Sequence, residues 1–504
     1  MATSNDANPA NHGSLKAQAT PTWTDEHVEG DVQDFVESTF ASRYTAEPLL
    51  KNQMPPHGMP ANIVYQLCTD LRTLDANPRL NLASFVTTWM EPEAEKLIMD
   101  SLNVNFVDAE EYPSSQEIMN RCVEMLAKLT HSPAPEGEAV GSATIGSSEA
   151  ILLGALAMKK RWQLLPRIAN RDKADMQKPN LVIGAEAHVC WDKFCRYFDV
   201  DQRKVPVAEG RYCATAELME TFIDENTIGV VAVLGSTYTG EFEDVEAMDA
   251  MLGEVNKRTG WDLVLHVDAA SGGFIAPFLY PDLKWDFRLE RLASINISGH
   301  KYGLVYPGLG WVIWRSAEYL PEEMIFWDNY LGTKERSITL NFSRGAFNIV
   351  AQYYQFMRLG FGGYRKIMTN LRTIADRLQA QLCKTGHFEI LSKEVGVPLV
   401  AFRLNKVTVD GKCVDRSYDE YDLADRVRMN GWVIPAYTMP EDAEHVKLLR
   451  IVVREDLSMP MVDLLVQHLV LALKWLDSHF IVSRDKMTEQ ARQDLRENPP
   501  MKPC

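Results

Sequence analysis

Cysteine is scarce: eight in 504 residues. Cys190 and Cys195 are spaced wrongly for a CxxC pair, and no Cys/His cluster has zinc-finger spacing. Reduced thiols and a cytoplasmic location are therefore the expectation, with no metal site. Long apolar runs are missing too. None approaches the ~20 residues of a membrane span, so no membrane partner is expected. The polar start MATSNDANPANHGSLKAQATPTW lacks an apolar signal core, and no arginine precedes Arg43, which argues against a transit peptide. Positive charge is in deficit: 52 Lys and Arg against 69 Asp and Glu leave a net charge of −17. Such a chain has none of the phosphate electrostatics that drive nucleic-acid binding. It gives no general pull on an anionic substrate either, so any anion site has to be built locally.

What is present is an ordinary globular mix, 46% hydrophobic and 24% charged, at a length that suits about three domains. Residues 1–22, rich in Ala, Asn, Ser, Thr and Pro, are expected to be disordered, and so is the polar tail 483–504. From about 139 to 345, helical pattern (EAILLGALAMKKRW, VEAMDAMLGEVNKRTG) alternates with short apolar runs (NLVIGA, IGVVAVLGS, DLVLHVDA, LGWVIW). This alternation predicts an α/β fold with a mostly parallel sheet, whose ligand lies outside the carboxyl ends of the strands. Beyond Asn348, a long helical stretch, EVGVPLVAFRL, VKLLRIVVRE and MVDLLVQHLVLALKWLDSHF suit a smaller C-terminal α+β domain. The expected division is 23–82 for an N-terminal helical, dimerising segment, 83–345 for the large domain and 346–482 for the small one.

Three constellations carry chemistry. Ser298-Gly299-His300-Lys301 follows the strand-like run SINI. A lysine among small residues at a strand end can present its amine to a cleft, where desolvation makes it a nucleophile near neutral pH, as a Schiff base requires. Alone, the motif is equally a surface lysine in a turn. His266-Val267-Asp268-Ala269-Ala270-Ser271-Gly272 ends the strand DLVLHV. An aspartate there can pair with the pyridine nitrogen of pyridoxal 5'-phosphate (PLP), and small residues let a flat ring lie close. A lone aspartate serves as well as a helix cap. The 33 residues between Asp268 and Lys301 suffice for one crossover between neighbouring strands, and the two together favour the cofactor reading. In Gly141–Ala150, small hydroxylated residues run into a helix whose N–H groups and dipole suit an anion such as the 5'-phosphate. By itself that segment reads better as a plain N-cap with Glu149 in the first turn.

Longer motifs extend the pattern: NLASFVTTW (81–89), EEYPSSQEIMNRCV (110–123), GSATIGSSEA (141–150), CWDKFCRYFDVD (190–201), STYTGEFE (236–243), HVDAASGGFIAPF (266–278), WDFRL (285–289), SGHKYGL (298–304), GWVIWR (310–315), NFSRGAF (341–347) and AQYY (351–354). With them the chain, from about 40 to about 480, resembles the group II decarboxylases among the fold-type I, aspartate aminotransferase-like PLP enzymes. Within that group it is similar to the glutamate decarboxylases of bacterial and plant type; the animal type is more distant.

The resemblance implies a PLP-dependent carboxy-lyase that converts L-glutamate to 4-aminobutyrate and CO2. It makes Lys301 the lysine that carries the cofactor as a Schiff base and Asp268 the partner of the ring nitrogen. Ser147, Ser148, Ser298 and His300 fall on phosphate-contacting positions, and Ser343 on one that reaches a neighbouring subunit's phosphate. Thr237 falls beside the ring or its 3'-oxygen and Ala270 on one ring face. His188 stands where bacterial members present a glutamine to the other face; a stacking histidine is usual in other group II decarboxylases. Arg450 matches the arginine that pairs with the α-carboxylate. Ser84 and Phe85 match the segment receiving the distal carboxylate, with serine for the family's usual threonine. Asn105 and Asp108 match further distal-carboxylate residues, contributed across a dimer interface. Read without the resemblance, Arg450, Asn105 and Asp108 are ordinary surface polar residues. A homodimer or a higher homo-oligomer, such as a hexamer, follows. The tail after Phe480 has no Trp of the plant calmodulin-binding helix, so calmodulin is not an expected partner, and no histidine follows His479 to plug the site. The rivals are an aminotransferase on the same fold, against which NLASFV, NVNFVD and NFSR speak, and a dead relative, which should have lost Lys301 or Asp268.

Overall fold

A computed structural model of the chain describes residues 52–55, 58–171, 178–328, 335–409, 412–414 and 416–479. The segments expected to be disordered at 1–22 and 483–504, and the tail features read after Phe480, lie outside these residues. Two compact units divide the chain after Asp75. In the first, the described residues form the helix Ala61–Arg72, which begins after Pro60 and carries Arg72 in its last turn, where a cation suits the helix dipole.

Among the described residues the second unit holds two large sheets and two two-stranded ribbons, Phe326–Asp328 with Glu335–Ser337 and Val407–Val409 with Lys412–Val414. Seven strands, β1 (Val140–Thr144), β2 (Asn180–Gly184), β3 (Asp201–Val205), β4 (Thr227–Val233), β5 (Leu265–Asp268), β6 (Leu292–Ile297) and β7 (Gly310–Trp314), lie in the order β1-β7-β6-β5-β4-β2-β3. From β3 to β6 the neighbours are parallel, while β7 runs antiparallel to both β6 and β1. LGWVIW is thus the exception to the crossover pattern, because β7 returns from β6 through the Lys301 turn rather than through a helix. Strands β4 to β7 are buried along their whole length, which suits the apolar runs of β4 and β7, while the polar residues of β5 and β6, His266, Asp268, Ser294 and Asn296, are buried with them. Two strands were not legible as such. VGSAT has no β-branched core, but Gly141 lies in register with Ile313, where a Cβ would sit 2.8 Å from the Val312 carbonyl oxygen. DQRKV is polar because β3 is an edge strand paired only with β2.

The helix Ser147–Leu164 packs on β6 and β7. Gly154 lets it come down onto the sheet: a Cβ there would stand 2.7 Å from the His266 imidazole. The second sheet is antiparallel, in the order Phe388–Ile390, Leu399–Leu404, Lys447–Val452, Ala436–Thr438, and it carries the helices Glu420–Arg428 and Met459–His479. This is the smaller α+β part. Its last helix corrects one reading of the sequence: by length and composition Met459–His479 is apolar enough to cross a membrane. Here its stripe Val462, Leu465, Leu469, Ala472, Leu473 and Leu476 is buried in the core of the unit.

Candidate active site

The strand ends converge. β1 leads through Gly146 into the helix at Ser147, β2 into Glu186 and His188, and β4 into Gly235 and Thr237. β5 closes on Asp268, followed by Ala270 and Ser271, while β6 leads to Ser298, His300 and Lys301. All of these, with Ser148, line one cavity of about 720 Å³, a size that suits a cofactor and a small substrate. Ser84, Phe85 and Arg450 close it from the side of the second sheet.

Lys301 sits on a pinned turn: Thr87 donates its N–H to the His300 carbonyl at 3.0 Å and its hydroxyl to the Lys301 carbonyl at 2.8 Å. Its Nζ donates to Ser271 Oγ at 3.1 Å and lies 5.2 Å from the centre of the Phe85 ring. Burial pulls the ammonium's pKa down, with Asp268 opposing. The amine therefore gives up its proton more readily than a surface lysine does.

Asp268 is held by donors alone. Its Oδ2 accepts from Trp191 Nε1 at 2.8 Å; its Oδ1 accepts from Asn296 Nδ2 at 2.9 Å and from the Ala270 N–H at 3.2 Å. The polarity runs further back. Because Asn296 spends its amide N–H on Asp268, its Oδ1 accepts from His266 Nε2 at 2.8 Å, which leaves His266 Nδ1 to accept from the Ser294 hydroxyl at 2.7 Å. Burial lowers the pKa of His266, so the ring is the neutral tautomer this chain requires. Every hydrogen bond in the relay points its proton toward Asp268.

At the start of the helix Ser147–Leu164, Ser147 Oγ lies 2.5 Å from Ser298 Oγ, and Ser148 Oγ lies 2.8 Å from Cys190 Sγ. Gly310 allows this: a Cβ there would press within 2.6 Å of the Ser147 nitrogen. Glu149 is no idle first-turn residue, since its carboxylate receives the N–H of Ile145 at 2.9 Å and that of Leu340 at 2.8 Å. His300 Nδ1 accepts from the Leu309 N–H at 3.2 Å, and burial pushes its pKa down to about 4, so a neutral ring keeps its proton on Nε2. Burial, and then Lys301, also lower the pKa of His188, whose Nδ1 caps the helix Val189–Tyr197 by accepting from the Cys190 N–H.

Arg450 is 4% exposed. Its Nη2 donates to the Ala83 carbonyl at 2.7 Å and its Nη1 to the Thr237 carbonyl, while Nε has no partner. Among the described residues no carboxylate pairs with it. Its guanidinium carbon stands 4.8 Å from the Phe85 ring centre. Arg454, which sequence reasoning did not single out, ties down the strap carrying Ser84 and Phe85 by donating to the carbonyls of Asn81 at 2.7 Å and Ser84 at 2.8 Å. Trp191, Asn296, His266 and Ser271 were missed as well. Only their place beside motif residues could have marked them.

Three expected residues lie outside the cavity of their own chain: Asn105, Asp108 and Ser343. They are nonetheless brought together. Asn105 bridges Gly345, its Oδ1 accepts from the Arg344 N–H at 3.2 Å, and Phe106 donates its N–H to the Arg344 carbonyl at 2.7 Å.

Residues 56–405 match the pyridoxal-dependent decarboxylase conserved domain. Over 454 residues the chain is 52% identical to glutamate decarboxylase 5 of Arabidopsis thaliana, covering 89% of each. It is 42% identical over 452 residues to a glutamate decarboxylase of Lactococcus lactis subsp. cremoris, covering 90% of this chain and 95% of the other. The solved structure of Lactobacillus brevis glutamate decarboxylase superimposes with a TM-score of 0.84 at 41% identity, covering 89% of this chain and all of that one. The cavity fits the cofactor this family uses. It offers a desolvated amine, a buried carboxylate with only donors around it, and an anion cradle of serines at a helix start. By its conserved domain and by these relatives, the chain belongs to the pyridoxal-dependent decarboxylases, in the glutamate decarboxylase family.

Proposed function

We propose that the chain removes the α-carboxylate of L-glutamate, giving 4-aminobutyrate and CO2 with uptake of one proton. The observation that carries the reading is Arg450: a buried guanidinium with an unpartnered Nε and no carboxylate of its own, facing the same cavity as the Lys301 amine. A carboxylate entering from solvent supplies what the guanidinium lacks.

Bound PLP supplies an electron-withdrawing ring that takes up the electron pair of the bond being broken. The rest is the work of this chain. Ser147, Ser148 and Ser298, with the helix N-terminus, would hold the phosphate, and the Nε2–H of His300 adds a neutral donor. Asp268 would face the ring nitrogen as an acceptor, kept so by Trp191 and Asn296. Ala270, His188 and Thr237, which line the same cavity, would wall the ring's faces and edge. Lys301 holds or releases a proton at Nζ in a dry site that favours the neutral amine. Arg450 orients the α-carboxylate, and Ser84 and Phe85 receive the distal one. Asn105, Asp108 and Ser343 complete the site of a neighbouring copy, a reading supported by their shared location outside their own chain's cavity. We read the protein as a cytoplasmic homo-oligomer, and the free thiols of Cys68, Cys122, Cys190, Cys195, Cys213 and Cys383 suit that compartment.

The test is product analysis. The PLP-loaded protein, given L-glutamate, should release CO2 and 4-aminobutyrate in equal amounts. Formation of 2-oxoglutarate without CO2 would make it an aminotransferase, and indifference to glutamate with turnover of a shorter or aromatic amino acid would misplace the distal site.

A further inference from the structure

Two carboxyls that the chemistry above does not use lie behind the cavity wall. Glu186 follows β2 and stands two residues before His188; Glu243 closes the loop that runs from the end of β4 through Gly235 and Thr237. Both are buried, 1% and 3% exposed. They meet on one donor: the Ala214 N–H lies 2.9 Å from Glu186 Oε1 and 3.2 Å from Glu243 Oε1, and the two side chains are hydrogen-bonded to each other. Among the described residues no lysine or arginine forms an ion pair with either. The nearby charges are already engaged. Arg211 donates to the Pro206 carbonyl at 3.0 Å and the Cys213 carbonyl at 3.2 Å, and Lys393 pairs with Glu241 at 2.7 Å. Tyr238 and Cys213 face the pair as neutral groups, since burial raises the pKa of both.

Two carboxylates this close, dry and without a cation cannot both be charged, so one proton must sit between them. Glu243 accepts from backbone on both oxygens, from Val233 at 2.5 Å and from Ala214. The hydrogen bond between the carboxyls raises the proton affinity of Glu243 and lowers that of Glu186, so the shared proton belongs to the pair with Glu243 as its donor and Glu186 as its acceptor. Gly184 leaves the room, because a Cβ there would collide with the Glu186 carboxyl.

We propose that Glu186 is a positioning residue for the cofactor cavity: as one half of a proton-sharing pair with Glu243, it clamps the corner bearing His188 to the loop bearing Thr237, and loss of the shared proton undoes the clamp. The loop matters to the site because the Thr237 carbonyl also holds Arg450. The proposal concerns the wall and the cofactor and does not depend on which amino acid is the substrate.

The sign follows from the pair's raised proton affinity, which burial causes first in both carboxyls and to which the facing Glu186 adds at Glu243. A carboxyl whose folded-state pKa is raised contributes stability that is complete below its ordinary pKa near 4.3 and is lost as pH climbs through the raised value. Between the two values the loss is about tenfold in the folding equilibrium per pH unit, and above the raised value it levels off. Glu186→Gln keeps an acceptor for the Ala214 N–H and can bond Glu243 in either protonation state, but takes one ionisable carboxyl out of the pair. Melting of the apoprotein, and PLP affinity measured by fluorescence titration, should be followed from pH 5 to 9 for parent and variant. We expect the two to agree at pH 5 and to separate as pH rises, the parent losing melting temperature and PLP affinity while E186Q holds both. Parallel curves across the range, or an E186Q protein unable to fold at pH 5, would overturn the proposal.

Discussion

Asp268→Asn separates a charge effect from a hydrogen-bond effect. On sequence grounds the exchange keeps the geometry and removes only the charge. The structure disagrees, because all three groups around the Asp268 carboxylate are donors. An asparagine can satisfy Asn296 and Ala270 with its oxygen, but its NH2 then meets the Trp191 N–H, donor against donor. A buried donor left unpaired costs about 1–3 kcal/mol, and the lost charge-assisted bonds add to that. Trp191→Phe in the parent removes a bond to a charged group, worth about 1.5–3 kcal/mol. In the Asp268→Asn background the same change removes the orphaned donor, and its cost largely disappears. Denaturant unfolding of the four apoproteins closes the cycle, with an expected coupling of about 1.5–3 kcal/mol. Additivity to within about 0.5 kcal/mol would refute the donor-only socket. Turnover reports separately on the charge: losing one well-placed electrostatic partner should lower kcat by about a hundredfold or more.

Lys301→Ala should keep the fold and abolish turnover; borohydride reduction of the PLP-loaded parent followed by peptide mapping should place the pyridoxyl label on Lys301, and a label on another lysine would refute the assignment. Arg450→Lys loses the fork and leaves one rotatable charge, so kcat/KM for glutamate should fall by about tenfold to a hundredfold while PLP affinity is unchanged; a loss confined to PLP affinity would move Arg450 out of the substrate site. Refolding Lys301→Ala chains together with Asp108→Ala chains should restore activity that neither has alone, whereas an inactive mixture would place Asp108 within its own chain's site. His300, with its pKa pushed down from 6.5 to about 4, costs the fold stability as pH falls through that window. His300→Asn preserves an acceptor for the Leu309 N–H, so it should flatten the apoprotein's melting curve between pH 6.5 and 4; an unchanged slope would show that the ring is charged or exposed.

The sequence by itself determined the elements and the reagents. A continuous apolar run such as IGVVAV, alternating with helical segments, reads as a strand buried on both faces, and the spacing of Asp268 and Lys301 across one crossover marks two adjacent strand ends. These are local or nearest-neighbour properties, written in side-chain chemistry. Tertiary structure decided what depends on who meets whom. VGSAT became a strand only through its register on β7, and β7 turned back antiparallel because the Lys301 turn is too short for a helix. Arg450 and Ser84 lie 366 positions apart and share a cavity only because Arg454 holds the strap between the sheets. The Trp191–Asp268–Asn296–His266 relay and the Glu186–Glu243 pair have no motif of their own. A carboxyl's charge state is set by the donors and dielectric around it, and those come together only when distant strand ends are folded onto one another.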